Sequence, residues 1–456
     1  MAWRIALACL VLAGVPRGAW ANGRSPGTQS ITFRQGHESD IVVGLTFGLV
    51  VSHDGGKTWG WMCEDAVPYQ GKYDPRFVFT PSGALFATTM GGLKVVRDSC
   101  TFNMIPATTT FASTAALGPG PGYALYYAAV QAADPGHQIA ADYNIYKSTD
   151  DGMTFPTKGT PTTTVNWWQS LEVAPGSPLR LYLSGYAYVT GPTGGTVVQP
   201  LLFRSDNAGQ DWTPLSLTNV TVPDGAVIRI AGIAKDNPDF VYIRVGFDDG
   251  SSGDSIYRSI DKGLTWTLIN SKTAAIGAFV VRAALNSKGK HDVIVGTQAL
   301  GAEISHDDGD PGSFVPLTNP PHMNCLVENA VGELWACTQN YGVAASVPSD
   351  DAGIMKTTDL VTWTKVLRYQ DLTEAVTCPA GTIQKETCAA MWCAVCGQLG
   401  CTPSPSYSCP VPTEAPVPPP ASKGGCCDSG SGGGGALALG LWVGMVLLRP
   451  RRRRGP

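Results

Sequence analysis

The chain has 456 residues, with 32 basic and 36 acidic side chains and a formal net charge of −4. Two of the basic residues, Arg4 and Arg17, lie near the start and five arginines lie between positions 449 and 454; without these the balance is 25 basic against 36 acidic residues, or −11. Because nucleic acids and anionic membranes are themselves negative, this acidic excess argues against either as the partner.

Residues 1–21 have the pattern of a secretory signal peptide. Arg4 precedes an apolar run from Ile5 to Val15, and Ala19-Trp20-Ala21 supplies small residues for cleavage after Ala21. A membrane helix is the alternative, but the run is too short to span a bilayer. The sequence therefore predicts an exported protein.

A short pattern, Ser-x-Asp-x-Gly-x-x-Trp, recurs through the middle of the chain and is called the box here. Seven copies start about 44 to 57 residues apart, and the eroded second copy occupies 96–102. The box residues of the other six are Ser52, Asp54, Gly56 and Trp59; Ser148, Asp150, Gly152 and Phe155; Ser205, Asn207, Gly209 and Trp212; Ser259, Asp261, Gly263 and Trp266; Ser305, Asp307 and Gly309; Thr357, Asp359 and Trp363.

Each box predicts a tight hairpin between two short apolar strands. Asp, Asn and Ser side chains bond the turn backbone, Gly takes the left-handed conformation, and the aromatic residue begins the returning strand. Further strand pairs flank turns such as Thr80-Pro81-Ser82-Gly83, so each period holds four strands. A repeat of this length is typical of propeller blades.

These copies resemble the Asp-box, or BNR, repeat of sialidase-like and sortilin-like propellers. The resemblance implies an all-β fold: a single β-propeller over residues 28–372 with seven four-stranded blades, although six or eight are not excluded. It also implies that the box residues are structural. In that family the box joins the third and fourth strands on the rim, away from the channel that binds ligands.

The cysteines predict disulfides in an oxidising compartment. Cys63 and Cys100 occupy similar points on adjacent blades and are expected to pair, and Cys325 and Cys337 are expected to join the two strands of a hairpin. Residues 373–409 are expected to form a small disulfide-rich module of open connectivity. Its cysteines are Cys378, Cys388, Cys393, Cys396, Cys401 and Cys409. Zinc or redox chemistry at the CxxC is the less favoured alternative.

The C-terminal end is predicted to be a linker followed by a sorting signal. Residues 410–425 are Pro-rich, and 426–456 contain Cys426 and Cys427, an apolar segment at 436–448 and an Arg-rich tail. This ending resembles the MYXO-CTERM signal of myxobacterial surface proteins. The resemblance implies cleavage or lipidation near Cys426 and Cys427 and display at the outer surface or outer membrane, with possible release. A plain membrane anchor is the alternative.

The residues expected for catalysis are hard to find in this chain. A sialidase-like hydrolase needs three arginines around a carboxylate, but Arg180, Arg229, Arg244 and Arg282 show no such arrangement, and Phe33-Arg34-Gln35-Gly36 only partly matches the N-terminal motif of sialidases. The acidic loop 247–254 suits calcium, or simply a solvated hairpin. Two aromatic groups have two interpretations, as a ligand-binding surface or as buried strand residues: Trp167-Trp168 and Tyr123 to Tyr127.

Neither a catalytic residue nor a cofactor or metal is predicted. The sequence favours a non-catalytic, surface-displayed propeller that binds a protein or a carbohydrate through one face or the central channel, and that meets the membrane only through its C-terminal segment. The alternative function is an exported glycoside hydrolase of sialidase-like fold.

Overall fold

The structure is a computed structural model that describes residues 24–409 apart from 70–72, 107, 109, 193, 249, 251, 345, 346, 406 and 408. The expected signal peptide, Pro-rich linker and sorting signal, with Cys426 and Cys427, lie outside the described residues and stay predictions. Within the described part, no helix has the length and apolar character needed to cross a membrane.

The described chain folds into seven antiparallel sheets of four strands, taken in chain order, and a further strand joins the first sheet. The strands are β1 (Thr28–Arg34), β2 (His37–Leu45), β3 (Gly48–Ser52), β4 (Gly60–Met62); β5 (Phe77–Phe79), β6 (Leu85–Thr89), β7 (Gly92–Val96), β8 (Asn103–Met104); β9 (Phe111–Leu117), β10 (Leu125–Val130), β11 (Ile145–Ser148), β12 (Thr157–Gly159); β13 (Trp167–Val173), β14 (Leu181–Thr190), β15 (Thr196–Ser205), β16 (Thr213–Pro214); β17 (Val227–Ile233), β18 (Val241–Gly246), β19 (Ser255–Ser259), β20 (Thr267–Ser271); β21 (Ile276–Leu285), β22 (His291–Thr297), β23 (Ala302–Ser305), β24 (Val315–Pro316); β25 (Cys325–Glu328), β26 (Leu334–Cys337), β27 (Ile354–Thr357), β28 (Thr364–Leu367); and β29 (Glu374–Ala375).

The sheets are the blades of a closed propeller. The first strand of each blade contacts the first strands of both neighbouring blades, all the way from β1 to β25 and back to β1. These seven inner strands surround a central channel. The predicted all-β fold, with one propeller of seven four-stranded blades, is confirmed, and six or eight blades are excluded.

Apolar side chains fill the spaces between the blades. Trp168 is fully buried beside Phe203, with ring centroids 6.0 Å apart, and Tyr126 and Tyr127 are also buried. These residues take the core role that the sequence analysis gave as one alternative. Trp167, in contrast, is only half-buried, since neighbouring residues of a strand point to opposite sides of the sheet.

The propeller has two unlike faces. In an antiparallel meander, the turns from first to second and from third to fourth strand lie on one side. This side is called the box face because it carries the boxes. The turns from second to third strand and the connections between blades lie on the other side. It is called the start face because the inner strands begin there.

The ring is closed without a strand shared between its first and last blades. The four strands of blade 1, β1 to β4, all come from the N-terminal part of the chain, and blade 7 ends at Leu367. The chain then crosses back to blade 1, where β29 pairs in parallel with β4. At the seam itself Phe33 meets Trp335 edge to face at 5.2 Å, and the Thr28 and Tyr369 hydroxyls lie 2.7 Å apart.

The disulfides correct one predicted pairing. Cys325–Cys337 joins β25 to β26 as expected, but the predicted Cys63–Cys100 bond is wrong. Cys63 bonds Cys388, and Cys100 bonds Cys378. The physical reason is that the segment after blade 7 packs at the outer edges of blades 1 and 2 and brings its own cysteines to both.

The C-terminal segment contains helices that the sequence analysis did not identify. A π-helical turn, Gln384–Cys388, continues into α1 (Ala389–Leu399), which ends at Gly400 with a φ of 69°. Trp392 of α1 packs on Trp61 of blade 1 with ring centroids 5.3 Å apart. Both cysteines of the CxxC are in disulfides, with Cys409 and Cys401 respectively. Short 3-10 turns lie at Glu64–Ala66, Pro135–His137 and Tyr369–Asp371.

Candidate ligand-binding site in the central channel

The box residues bond their own hairpins. The Ser148 hydroxyl donates to Asp150 at 2.6 Å and accepts from the Gly152 amide at 2.8 Å. Asp150 in turn accepts from the amide and hydroxyl of Thr154. The hydrogen bonds from Ser148 and Thr154 lower the pKa of Asp150 to about 2.

The same arrangement recurs around the ring on the box face. The box serine accepts from the box glycine amide at 2.9 Å in blade 1, 2.9 Å in blade 4, 2.7 Å in blade 5 and 3.1 Å in blade 6. In blade 7, which is one residue short, Thr357 accepts from the Leu360 amide at 2.9 Å instead. These hydrogen bonds lie within each hairpin and hold its turn. The box side chains are therefore away from the inner strands.

Many arginines join neighbouring blades. Arg34 donates to the Pro81 carbonyl in the next blade, Arg204 to that of Lys262, and Arg282 to that of Gly332. Arg180 bonds Asp239 at 3.0 Å. Three of the arginines considered for a substrate carboxylate, namely Arg34, Arg180 and Arg282, therefore hold blades together.

A cavity of about 610 Å³ fills the central channel. This volume is typical of a small-ligand site. Its charged lining consists of three arginines and three glutamates: Arg76, Arg229, Arg244, Glu38, Glu172 and Glu328. The lining is thus balanced in formal charge.

The channel arginines are each paired with a carboxylate. Arg76 of blade 2 reaches Glu172 of blade 4 at 2.7 Å, past the inner strand of blade 3. Arg229 contacts Asp248, which also accepts from the Gln169 amide at 3.0 Å. These contacts make the charged groups of the channel a network of ion pairs.

Arg244 and its partner Asp254 are the most buried of these pairs. Their atoms Nε and Oδ2 are 2.8 Å apart, and the Asp254 side chain has no exposed surface. Burial lowers the pKa of Arg244 and raises the pKa of Asp254, and their mutual attraction opposes both shifts. Gly246 leaves room for this carboxylate, because a Cβ there would stand 1.7 Å from Oδ1 of Asp254.

Arg229 and Arg244 are direct cross-strand partners in β17 and β18. Like charges in this position are unfavourable, and a buried ion pair contributes little net stability. Stability alone therefore gives little reason for two guanidinium groups at these neighbouring positions.

Aromatic side chains gather where the inner strands β9 and β13 begin, on the start face and outside the residues that line the cavity itself. Phe111 and Trp167, the first residues of two inner strands, meet edge to face at 4.5 Å, and Tyr73 packs against both at 5.4 and 6.0 Å. The ten-residue strand β14 ends on the start face, and it carries Tyr186 and the exposed Tyr188 near that end. The aromatic cluster is defined here as Tyr73, Phe111 and Trp167.

The sequence analysis found parts of this site but not the whole. It considered Arg229, Arg244 and Trp167, but it missed Arg76, Glu38, Glu172 and Glu328. A charged residue inside a first strand, as at Glu172 in β13, was the available signal for a channel residue. Two carboxylates of the 247–254 loop that suggested calcium, Asp248 and Asp254, contact arginines, and no described group of three or more His, Cys, Asp or Glu is placed to hold a metal.

Comparisons with known proteins find distant structural similarities and assign no family. No family model and no curated protein matches the chain. Among solved structures it is similar to an ancestral GH74 enzyme (13% identity, TM-score 0.49, 70% of this chain and 44% of that one) and to an extracellular domain of a B. thetaiotaomicron protein described as a one-component system (11%, 0.45, 70% and 38%). It is also similar to YCF48 bound to D1 peptide (12%, 0.44, 69% and 91%). The chain spans less than half the length of the first two.

Proposed function

We propose that this protein is an exported Asp-box propeller that binds a protein or carbohydrate ligand at its central channel without transforming it. The five disulfides are those of a chain that folds in an oxidising compartment. In this proposal the C-terminal segment displays the propeller at the cell surface.

One observation carries the binding role: the ionisable groups that line the channel are engaged with each other or with the backbone. Arg76, Arg229 and Arg244 have carboxylate partners, Glu328 accepts from Arg282 at 2.6 Å, and Glu38 accepts from the Ala330 amide at 3.3 Å. A carboxylate-binding arginine cluster needs free guanidinium groups, and these are compensated.

The most buried carboxyl group of this network, Asp254, is not an accessible catalytic acid. Burial raises the pKa of Asp254, as a general acid requires. Its side chain, however, has no exposed surface and faces Arg244 and the Ile276 amide. A carboxyl group that cannot touch a ligand cannot deliver a proton to it.

The test is to measure binding and turnover side by side on the purified protein. Isothermal calorimetry with sialosides and β-glucans is expected to detect binding to a ligand class, while product analysis finds no hydrolysis. The variant Glu328→Gln addresses the alternative, an exported glycoside hydrolase, because Glu38 and Glu328 lie at the same end of the channel. Hydrolysis that disappears in this variant contradicts the proposal.

Surface display is tested separately. Mass spectrometry of the mature protein from the native cell is expected to find no peptide from the Arg-rich tail at 449–456. An intact tail on the surface protein contradicts the sorting part of the proposal and favours a plain anchor.

A further inference from the structure

We infer that the ligand is a neutral oligosaccharide, bound at the start-face mouth of the channel with its sugar rings against the aromatic cluster. The inference rests on the proposed function and deepens it, since it chooses one ligand class. The first support is the charge balance of the lining. Three arginines and three glutamates line the channel, and with the partners Asp248, Asp254 and Arg282 the network has four arginines and five carboxylates, so it carries no excess of positive charge.

A balanced lining favours a ligand without net charge. An acidic ligand gains attraction only from guanidinium groups that lack a partner, and it is repelled by Asp248 at this mouth. A hydroxyl group, in contrast, both donates and accepts. It can bond an arginine and its carboxylate partner together without breaking their ion pair.

The aromatic cluster supplies the second part of a sugar site. Its three rings meet at interplanar angles between 61° and 80°, so they are not stacked on one another. Each ring is also only partly buried. The C–H groups on the face of a sugar ring are weakly positive and pack favourably on the negative face of an aromatic ring.

Contacts between the residues connect the cluster to the polar groups. Trp167 begins β13, and Gln169, two residues further along, donates to Asp248, the partner of Arg229. Trp167 is therefore two residues from a side chain that bonds the Arg229–Asp248 pair, and Arg229 lines the cavity. The cavity volume of about 610 Å³ fits a short oligosaccharide better than a folded partner.

The experiment measures Kd values of the purified protein for neutral and acidic oligosaccharides. Cello-, xylo-, manno- and chito-oligosaccharides form the neutral arm, and sialylated and uronate oligosaccharides form the acidic arm. Binding to at least one neutral series is expected, with less than a twofold change in Kd between roughly 50 and 500 mM salt, because no net charge is neutralised.

Two tryptophan variants locate the site. Trp167→Ala is expected to weaken binding about tenfold or more, the loss of one stacked ring. Trp363→Ala is the matched control, because Trp363 is also half-buried but lies in a box hairpin on the other face; its Kd is expected to stay unchanged. A neutral sugar that binds equally to wild type and Trp167→Ala overturns the inference.

A charge variant tests selectivity directly. Asp248→Asn leaves Arg229 without its carboxylate, so this variant is expected to gain affinity for acidic oligosaccharides at low salt. If wild type already prefers the acidic arm, the balanced-charge argument is wrong. If neither arm binds but a peptide library does, the sugar inference fails while the binding function stands. Hydrolysis of a bound neutral sugar has the opposite meaning: the sugar inference stands and the non-catalytic function fails.

Discussion

Asp150 and Asp254 both adjoin the third strand of a blade, yet their pKa values move in opposite directions. Asp150 lies at the surface of a box hairpin, where the hydroxyl of Ser148 and the backbone and hydroxyl of Thr154 lower its pKa to about 2. The Asp254 side chain is shielded from solvent, and this burial raises its pKa although Arg244 lies beside it. The residue type is the same, and the number of hydrogen-bond donors and the degree of burial decide the difference.

The box carboxylates predict a specific acid sensitivity. The pKa of Asp150 falls from 3.8 to about 2 on folding, so its stabilisation is complete above pH 3.8 and disappears as the pH falls towards 2. Urea unfolding between pH 7 and 2 is expected to show this loss. Asp150→Asn keeps an oxygen acceptor, as Asn207 does in blade 4, and is expected to reduce the acid-dependent loss. An unchanged pH profile in this variant contradicts the role.

Substitution of His291, at the contact between blades 5 and 6, is expected to lower the stability of the folded protein more than a change at Asp150. Its Nδ1 lies 2.8 Å from Asp308 and its Nε2 lies 2.6 Å from Asp236, in a side chain that is almost fully buried. His291→Phe removes the ring contacts to Asp236 and Asp308 while Lys290 still pairs with Asp308 at 2.8 Å, so the free energy of unfolding is expected to fall by about 2 kcal/mol. Urea unfolding measures it. The exposed His137, which bonds Asp134, is the control, and His137→Phe is expected to change little.

At the scale of elements, the segment after blade 7 fastens blades 1 and 2 together, and residues 369–409 are called the clasp here. The strand β29 pairs with β4, the Gln384 amide donates to the Trp61 carbonyl at 2.9 Å, and α1 covers Trp61 with Trp392. Two disulfides then bond this segment to blades 1 and 2. Together these contacts close the outer edge of a ring that shares no strand between its ends.

The two kinds of disulfide are expected to differ in their contribution to stability. Cys63–Cys388 spans a sequence separation of 325 residues, and Cys325–Cys337 spans 12. In the chain-entropy description, the longer loop gives about 6 kcal/mol and the shorter about 3 kcal/mol. Chemical unfolding of the two double Cys→Ser variants tests this difference. Equal destabilisation by both pairs contradicts the clasp role.

At the scale of the whole molecule, the ring closes at one seam, where blades 7 and 1 share a hydrophobic core. Between blades 7 and 1 the described contacts are side-chain contacts such as Phe33–Trp335 and Thr28–Tyr369, and the clasp holds the outer edge. Every other pair of neighbouring blades is joined by a direct chain connection. The channel depends on closure, because both β1 and β25 line it.

Reduction is therefore expected to open the ring at this seam first. Hydrogen exchange of the reduced protein is expected to show lost protection in β1 and β25 before β13 and β17, and ligand affinity is expected to fall with it. The oxidised protein is the control. Uniform loss of protection around the ring contradicts a local seam.

The sequence by itself determined the repeat, and through it the propeller. Box residues act within eight positions of the chain, so Ser52 or Gly263 can be interpreted without knowing any distant contact. The Cys325–Cys337 bond was predictable for the same reason. Only the tertiary structure decided the long-range pairings: Cys63 with Cys388, Arg76 with Glu172, and Arg229 beside Arg244. Closing the ring brings together residues that are up to 341 positions apart, and no local pattern encodes which of many similar arginines and cysteines will meet.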